Sequence, residues 1–245
     1  MKFKKIVGFG DSWVYGDELL DPSLAENYPD AHCCWTQNND YRESRCFLGL
    51  LKDHYKLPVE NLGHPGGSLQ STIWSYLWWF QQEKNPDECL VIVFLTEPDR
   101  ESFYNPNHVH YGNDPQWNKF VHLTWVQSGA SVVTKEWVDL VKRYTVLTHC
   151  DQLSQLRYIQ AMMFFDGQAS RYNIPLLQYH GAPPLTDFNV TTLMKPEFDW
   201  ITYFRDHPGN QKRELIKPNG HPNENGHEII RDMLITEIDS VIMSK

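Results

Sequence analysis

Nothing in this chain approaches the roughly 18 consecutive apolar residues of a bilayer-spanning helix, so no membrane partner is expected. Positive charge is also scarce: 22 Lys and Arg stand against 31 Asp and Glu, a net charge of −9 over 245 residues. Binding a phosphate backbone needs clustered cations. No basic run exists, so nucleic acid is not an expected partner either. Cysteine is limited to Cys33, Cys34, Cys46, Cys89 and Cys150, an odd number without framework spacing. That usage points to reduced thiols and a cytoplasmic setting. The chain enters a strand-like run within its first few residues, which leaves no space for a cleavable leader. No phosphate-binding loop is present. Gly8-Phe-Gly10 is only a fragment of the dinucleotide fingerprint, with Trp13 where the third glycine belongs. His108-Val-His110 places two rings on one strand face, and His32-Cys-Cys34 adds thiols, but neither has zinc-type spacing. No metal ligand set and no cofactor is therefore expected.

What the chain does have is material for a core. Hydrophobic residues make up 41% of it, including 9 Trp, 12 Tyr and 12 Phe, enough for one large domain over residues 1–245. Strand-like apolar runs at 3–9, 58–62, 89–95 and 174–179 alternate with helical patterns at 44–56, 67–84 and 135–173. The last of these has candidate breaks at Thr148 and Gly167. Such alternation argues for an α/β fold, a parallel sheet covered by helices on both faces. Three irregular segments, 20–42, 97–131 and 181–218, follow predicted strands. They are rich in aromatics: Tyr28, Trp35 and Tyr41; Phe103, Tyr104, Tyr111, Trp117 and Trp125; Phe188, Phe198, Trp200 and Tyr203. Long loops of this kind are often functional, and these aromatics read either as walls of a sugar-binding cleft or as small satellite cores under the loops.

The chemistry starts where the first strand ends, in Gly10-Asp11-Ser12. Ligands of open α/β sheets bind just outside the carboxyl ends of the strands. A serine there, at the start of a helix, suits a nucleophile and one arm of an oxyanion hole. It also suits an ordinary helix cap. A base candidate, His221, lies in Asn219-Gly-His-Pro-Asn-Glu-Asn-Gly-His227, just before an amphipathic helix carrying Ile229, Ile230, Met233, Leu234 and Ile238. Asn223 is the expected cap of that helix. His207, in Asp206-His-Pro-Gly-Asn210, is a rival without a following helix, and His227 fits packing better than catalysis. Asn61-Leu-Gly-His-Pro-Gly-Gly-Ser68 supplies Gly66, whose backbone N–H can approach a developing negative charge.

Together these blocks resemble the SGNH (GDSL-type) hydrolase family: Ser12 in its first block, Gly66 in its second, His221 in its last. The resemblance implies a flavodoxin-like three-layer α/β/α sandwich and a serine esterase without cofactor. It implies Ser12 as nucleophile, His221 as base and the N–H groups of Ser12 and Gly66 as oxyanion donors. Two departures stand out. Thr96-Glu-Pro-Asp-Arg100 replaces the family's Gly-x-Asn-Asp. Thr96 is left as a substitute oxyanion donor and Arg100 as a substrate-binding residue, although a salt bridge is an equal reading for Arg100. The acid usually three residues before the histidine is Pro218 here, with Asn219 as the nearest polar stand-in. Asp206, Glu214 and Asp17 are remote carboxylate candidates. Thr-x-Pro-x-Arg is similar to a tailed-phage branch of the family. The expected ligand is an ester-bearing small molecule or glycan, and the activity is hydrolysis of acyl or acetyl esters. The competing expectation is a degenerate domain that binds glycan or assembles with virion proteins without turnover.

Overall fold

The four apolar runs form the strands β1 (Lys5–Gly10), β2 (Val59–Gly63), β3 (Cys89–Leu95) and β6 (Leu176–His180). They make one sheet in the order β2-β1-β3-β6, with every neighbouring pair parallel. In this computed structural model, residues 3–104, 120–123, 139, 143, 150–181, 195, 198–209 and 214–243 are described. A separate antiparallel pair joins β4 (Glu101–Tyr104) to β5 (Phe120–Leu123).

Side chains alternate across the sheet because successive strand residues point to opposite faces. Ile6, Leu90, Ile92, Phe94, Leu177 and Tyr179 lie in one buried cluster. Val7, Phe9, Val91, Val93 and Leu95 lie in the other. A sheet buried on both sides needs strands that are apolar throughout, which is why β3 reads as an unbroken hydrophobic run. The helices α4 (Phe47–Tyr55) and α8 (Glu224–Met243) cover the first face with Phe47, Leu48, Leu51, Ile230, Leu234 and Ile238. The helices α5 (Leu69–Gln82) and α6 (Asp151–Tyr172) cover the second with Tyr76, Trp79, Tyr158, Met162 and Phe165. This is the expected three-layer α/β/α arrangement.

Local structure departs from the sequence reading in informative places. The helix expected at 44–56 is two helices, α3 (Asn39–Arg45) and α4, separated at the extended residue Cys46. The chain folds back so tightly there that a Cβ on Gly49 would stand 1.8 Å from the Glu43 carbonyl oxygen, so the corner requires glycine. Ser68 caps α5 in a reciprocal capping box with Ser71. Gly167 does not break α6; it lies on an exposed side with no heavy atom near its missing Cβ. Thr148 and most of 135–149 lie outside the described residues, while 139 and 143 are helical.

The first irregular segment contains α2 (Pro22–Asn27), a 3-10 turn at Thr36–Asn38 and the start of α3. The second contributes β4 and β5, and the third contains α7 (Trp200–Asp206). Tyr111, Trp117, Trp125 and Phe188 lie outside the described residues. Trp200 is fully buried, with Phe198 and Tyr203 packed against the same cluster. These three aromatics serve the core rather than a cleft wall, because Trp200 lies against Phe94 and Tyr179 of the sheet, and Phe198 and Tyr203 pack on Trp200.

Candidate active site

Asp11 organises the carboxyl end of β1. It caps α1 (Ser12–Tyr15), accepting the Trp13 N–H on Oδ1 at 3.0 Å. Its other oxygen accepts Thr96 Oγ1–H at 2.7 Å and an Arg100 Nη1–H at 3.1 Å. The cap position is therefore Asp11, which leaves the Ser12 hydroxyl for other work. The carbonyls at the end of this short helix are also satisfied. Asn61 Nδ2 donates to Val14 O at 3.0 Å and Arg42 Nη1 donates to Tyr15 O at 2.7 Å. Orphan carbonyls at a buried helix end need such partners, so Asn61 and Arg42 fix how α1 presents Ser12.

His221 reaches Ser12 from the far end of the chain: Nε2 lies 2.9 Å from Ser12 Oγ, across 209 residues of sequence. A neutral imidazole has one donor and one acceptor nitrogen. With the proton on Nδ1, the serine hydroxyl donates to Nε2. The loop holding the ring is pinned by its own backbone. Lys217 N–H donates to His221 O at 2.8 Å, and Gly220 N–H donates to Lys217 O at 3.0 Å. Asn223 then caps α8 as expected, accepting the Gly226 N–H at 3.0 Å, and its own N–H ties back to Leu215 O at 2.9 Å.

Gly66 lies in the turn before α5 with φ of +70°, a left-handed conformation that disfavours side chains. Two close contacts hold this turn over the start of α1. His64 N–H donates to Gly10 O at 3.0 Å. A Cβ on Gly63 would stand 2.3 Å from Tyr15 N, so β2 ends against α1 only because that residue is glycine. Gly66 is thereby brought to the same rim of the sheet as Ser12.

Three expected roles need correction. Asn219 is exposed on the 217–220 turn and makes no hydrogen bond to the imidazole among the described residues; His221 Nδ1 is buried without a partner. The turn that delivers His221 points residue 219 outward. Thr96 is 2% exposed, and its only O–H donates to Asp11, so that proton does not serve an oxyanion. Arg100 binds Asp11 and, through Nε at 2.9 Å, Glu97. Burial would lower its pKa, but these two carboxylates outweigh that and hold it above its ordinary value. It braces the site instead of facing outward to a substrate carboxylate.

Of the three remote carboxylates, Asp17 is the one beside the ring. Its Oδ2 lies 3.9 Å from His221 Nε2, on the serine side and not at Nδ1. Its Oδ1 accepts Cys33 Sγ–H at 2.7 Å. The sequence ranked Asp17 no higher than Asp206 or Glu214, since its approach depends on the turn that ends α1. The rival His207 is engaged locally, accepting the Gly209 N–H at 3.1 Å. His227 is a packing residue. Its Nδ1 accepts the Phe47 N–H at 3.3 Å. Complete burial, with the nearby His221 ring, pushes its pKa down to about 3.

Neither a protein-family model nor a curated protein matches this sequence. Solved structures do resemble it. An acetyl xylan esterase from the rumen bacterium Butyrivibrio proteoclasticus is similar at 13% identity and a TM-score of 0.48, covering 98% of this chain and 64% of that one. A lipase/acylhydrolase from Enterococcus faecalis shares 13% identity at a TM-score of 0.36, covering 97% of this chain and 96% of that one. A lipolytic G-D-S-L protein from Veillonella parvula shares 13% identity at a TM-score of 0.37, covering 95% and 96%.

Proposed function

We propose that this protein is a serine esterase that hydrolyses acyl or acetyl esters with Ser12 as nucleophile and His221 as general base. The observation that carries the reading is the 2.9 Å approach of Nε2 to Oγ at the carboxyl end of β1. A serine hydroxyl is a weak nucleophile at its free pKa and needs an adjacent base within this reach. In the proposed reaction Ser12 Oγ attacks the ester carbonyl while its proton moves to Nε2. The N–H groups of Ser12 and Gly66 receive the oxyanion. The imidazolium returns the proton to the leaving alcohol, and water then removes the acyl group by the same route.

The machinery is a dyad. In the Ser-His-Asp template a carboxylate at Nδ1 selects the tautomer and stabilises the imidazolium, and losing it costs about 10⁴ in rate. Here Nδ1 has no partner among the described residues, and Asp17 offers its charge at 3.9 Å from the other nitrogen. Turnover is therefore slow relative to a full triad. The substrate we favour is an ester on a glycan. Support comes from the aromatics of the segment that leads away from Ser12. Tyr28 is 55% exposed and lies against Trp35 in the segment that follows α1.

The test is labelling with a fluorophosphonate, which reports an activated serine, together with kcat/KM on p-nitrophenyl acetate and on acetylated oligosaccharides. Labelling and hydrolysis by the parent, both lost in Ser12→Ala, are expected. The unpartnered Nδ1 also favours a second reading, a glycan-binding domain without turnover. An unlabelled, inert parent that still binds glycan would establish that one.

A further inference from the structure

Among the described residues, one place brings the donor atoms of three His, Cys, Asp or Glu side chains within 4.8 Å of one another: His32, Cys33 and Cys34. The sequence spacing does not advertise it, because three consecutive residues seldom converge on one point. Here the chain bends between α2 and α3 so that they do. Cys33 Sγ lies 3.6 Å from His32 Nδ1 and 3.9 Å from Cys34 Sγ. Zinc bonds of about 2.3 Å to sulfur and about 2.0 Å to imidazole nitrogen set tetrahedral donor–donor edges of roughly 3.5–3.8 Å. The two measured edges match those values closely. Asp17 Oδ1, 2.7 Å from Cys33 Sγ, accepts the thiol proton and is not one of the converging donors.

We propose that His32 Nδ1 and the two thiolates of Cys33 and Cys34 form a binding site for one tetrahedral thiophilic divalent cation of the Zn²⁺ type, with the fourth position left to water. The site is distinct from the Ser12–His221 pair, though Asp17 belongs to the surroundings of both. Cys33 and Cys34 are buried while His32 is exposed, so the imidazole side is the entry path. Soft sulfur with one imidazole selects zinc-like ions over magnesium or calcium, which take oxygen ligands.

Binding exchanges protons for the ion. Each thiol S–H gives its proton to solvent as its sulfur bonds the metal, so two protons leave for one dication and the net charge of the site is unchanged. The proton that Cys33 now donates to Asp17 is one of them. His32 Nδ1 presently accepts the Cys34 N–H at 3.2 Å, and its lone pair turns from that bond to the ion.

The experiment uses the full chain, reduced and stripped of metal with a chelator. Titration with Co²⁺ is expected to give thiolate-to-cobalt charge-transfer absorption and tetrahedral visible bands, saturating at one ion per chain and bleached by Zn²⁺. The double variant Cys33→Ser/Cys34→Ser is expected to lose the bands and to bind Zn²⁺ at least 100-fold more weakly, whereas Cys150→Ser keeps both. Bands that survive in the double variant, or their absence from the parent, overturn the proposal. A second measurement needs no variant: Zn²⁺ added to the parent in weak buffer releases about two protons per ion. Zinc binding without proton release overturns it as well.

Discussion

An imidazole that takes a proton from serine becomes a cation, and each of its nitrogens then wants a partner. His221 has Ser12 at one nitrogen and, among the described residues, no hydrogen-bond partner at the other. The charge that reaches it is Asp17, at 3.9 Å from Nε2. Two unit charges about 4 Å apart attract by about 4 kcal/mol at an effective dielectric near 20. Partial exposure, 20% for His221 and 16% for Asp17, reduces that figure. Asp17→Asn, which keeps the shape and removes the charge, is therefore expected to lower kcat on p-nitrophenyl acetate by roughly 10- to 100-fold, at about 1.4 kcal/mol per decade. KM is expected to change little, since the charge acts only once the imidazolium forms. Asn219→Asp is the contrasting case. The side chain sits on the exposed side of its turn, so the new carboxylate does not meet Nδ1, and kcat/KM should stay within about twofold. A gain of tenfold or more in that variant would show that residue 219 does reach the ring.

Two short elements carry the site, and each is held by contacts that a single change removes. The start of α1 depends on Asp11, which is its cap and also the acceptor for Thr96 and Arg100. Loss of a cap typically costs about 1 kcal/mol, and breaking a buried ion pair about 3–5 kcal/mol. Arg100 retains Glu97, so the second figure is an upper bound. Asp11→Ala is expected to destabilise the fold by about 2–4 kcal/mol, read from the midpoint of a urea transition. A loss below about 0.5 kcal/mol, the scale of an ordinary surface change, would mean that Asp11 does not organise this end of the sheet. The turn before α5 depends on the left-handed Gly66. Gly66→Val is expected to abolish esterase turnover by displacing the backbone N–H from the oxyanion, with a stability loss of only about 1–2 kcal/mol. Full activity in that variant would remove Gly66 from the oxyanion site.

At the scale of the whole molecule, the layer formed by α4 and α8 contains an ionisable group that packs as if it were apolar. His227 stacks on Phe47 and accepts that residue's N–H, joining the two helices. Its folded pKa, about 3, lies below the ordinary histidine value of 6.5. Above pH 6.5 the ring is neutral in both folded and unfolded chains and the packing is fully retained. As pH falls through the window between the two values, the unfolded chain takes up a proton that the folded chain refuses, so stability drops. The slope contributed is up to about 1.4 kcal/mol per pH unit. Unfolding free energies measured from about pH 6.5 down to about pH 5, above most carboxylate titrations, should show that slope in the parent. A His227→Gln variant should be flatter over the same interval. Equal slopes would show that this histidine is not buried neutral.

Much of this molecule was legible from residue order alone, because the relevant signals are local or strictly periodic. The apolar run at 89–95 became β3 with the same ends, since a strand buried on both faces must be apolar throughout. Gly10-Asp11-Ser12, Gly66 and His221 were found as blocks, and the parallel sheet was implied by the alternation of strands and helices. Tertiary structure decided the rest, because hydrogen bonds follow distance in space and not in sequence. Asn219, two residues from His221, is carried away by a tight turn, while Asp17, across 204 residues, lies beside it. Thr96 and Arg100 look available in a loop, yet Asp11, just past the end of β1, takes both. Trp200 reads as a cleft aromatic until α7 buries it against the sheet. His32, Cys33 and Cys34 lack the spacing of a metal site, and only the bend of their loop brings their donor atoms within 4.8 Å of one another.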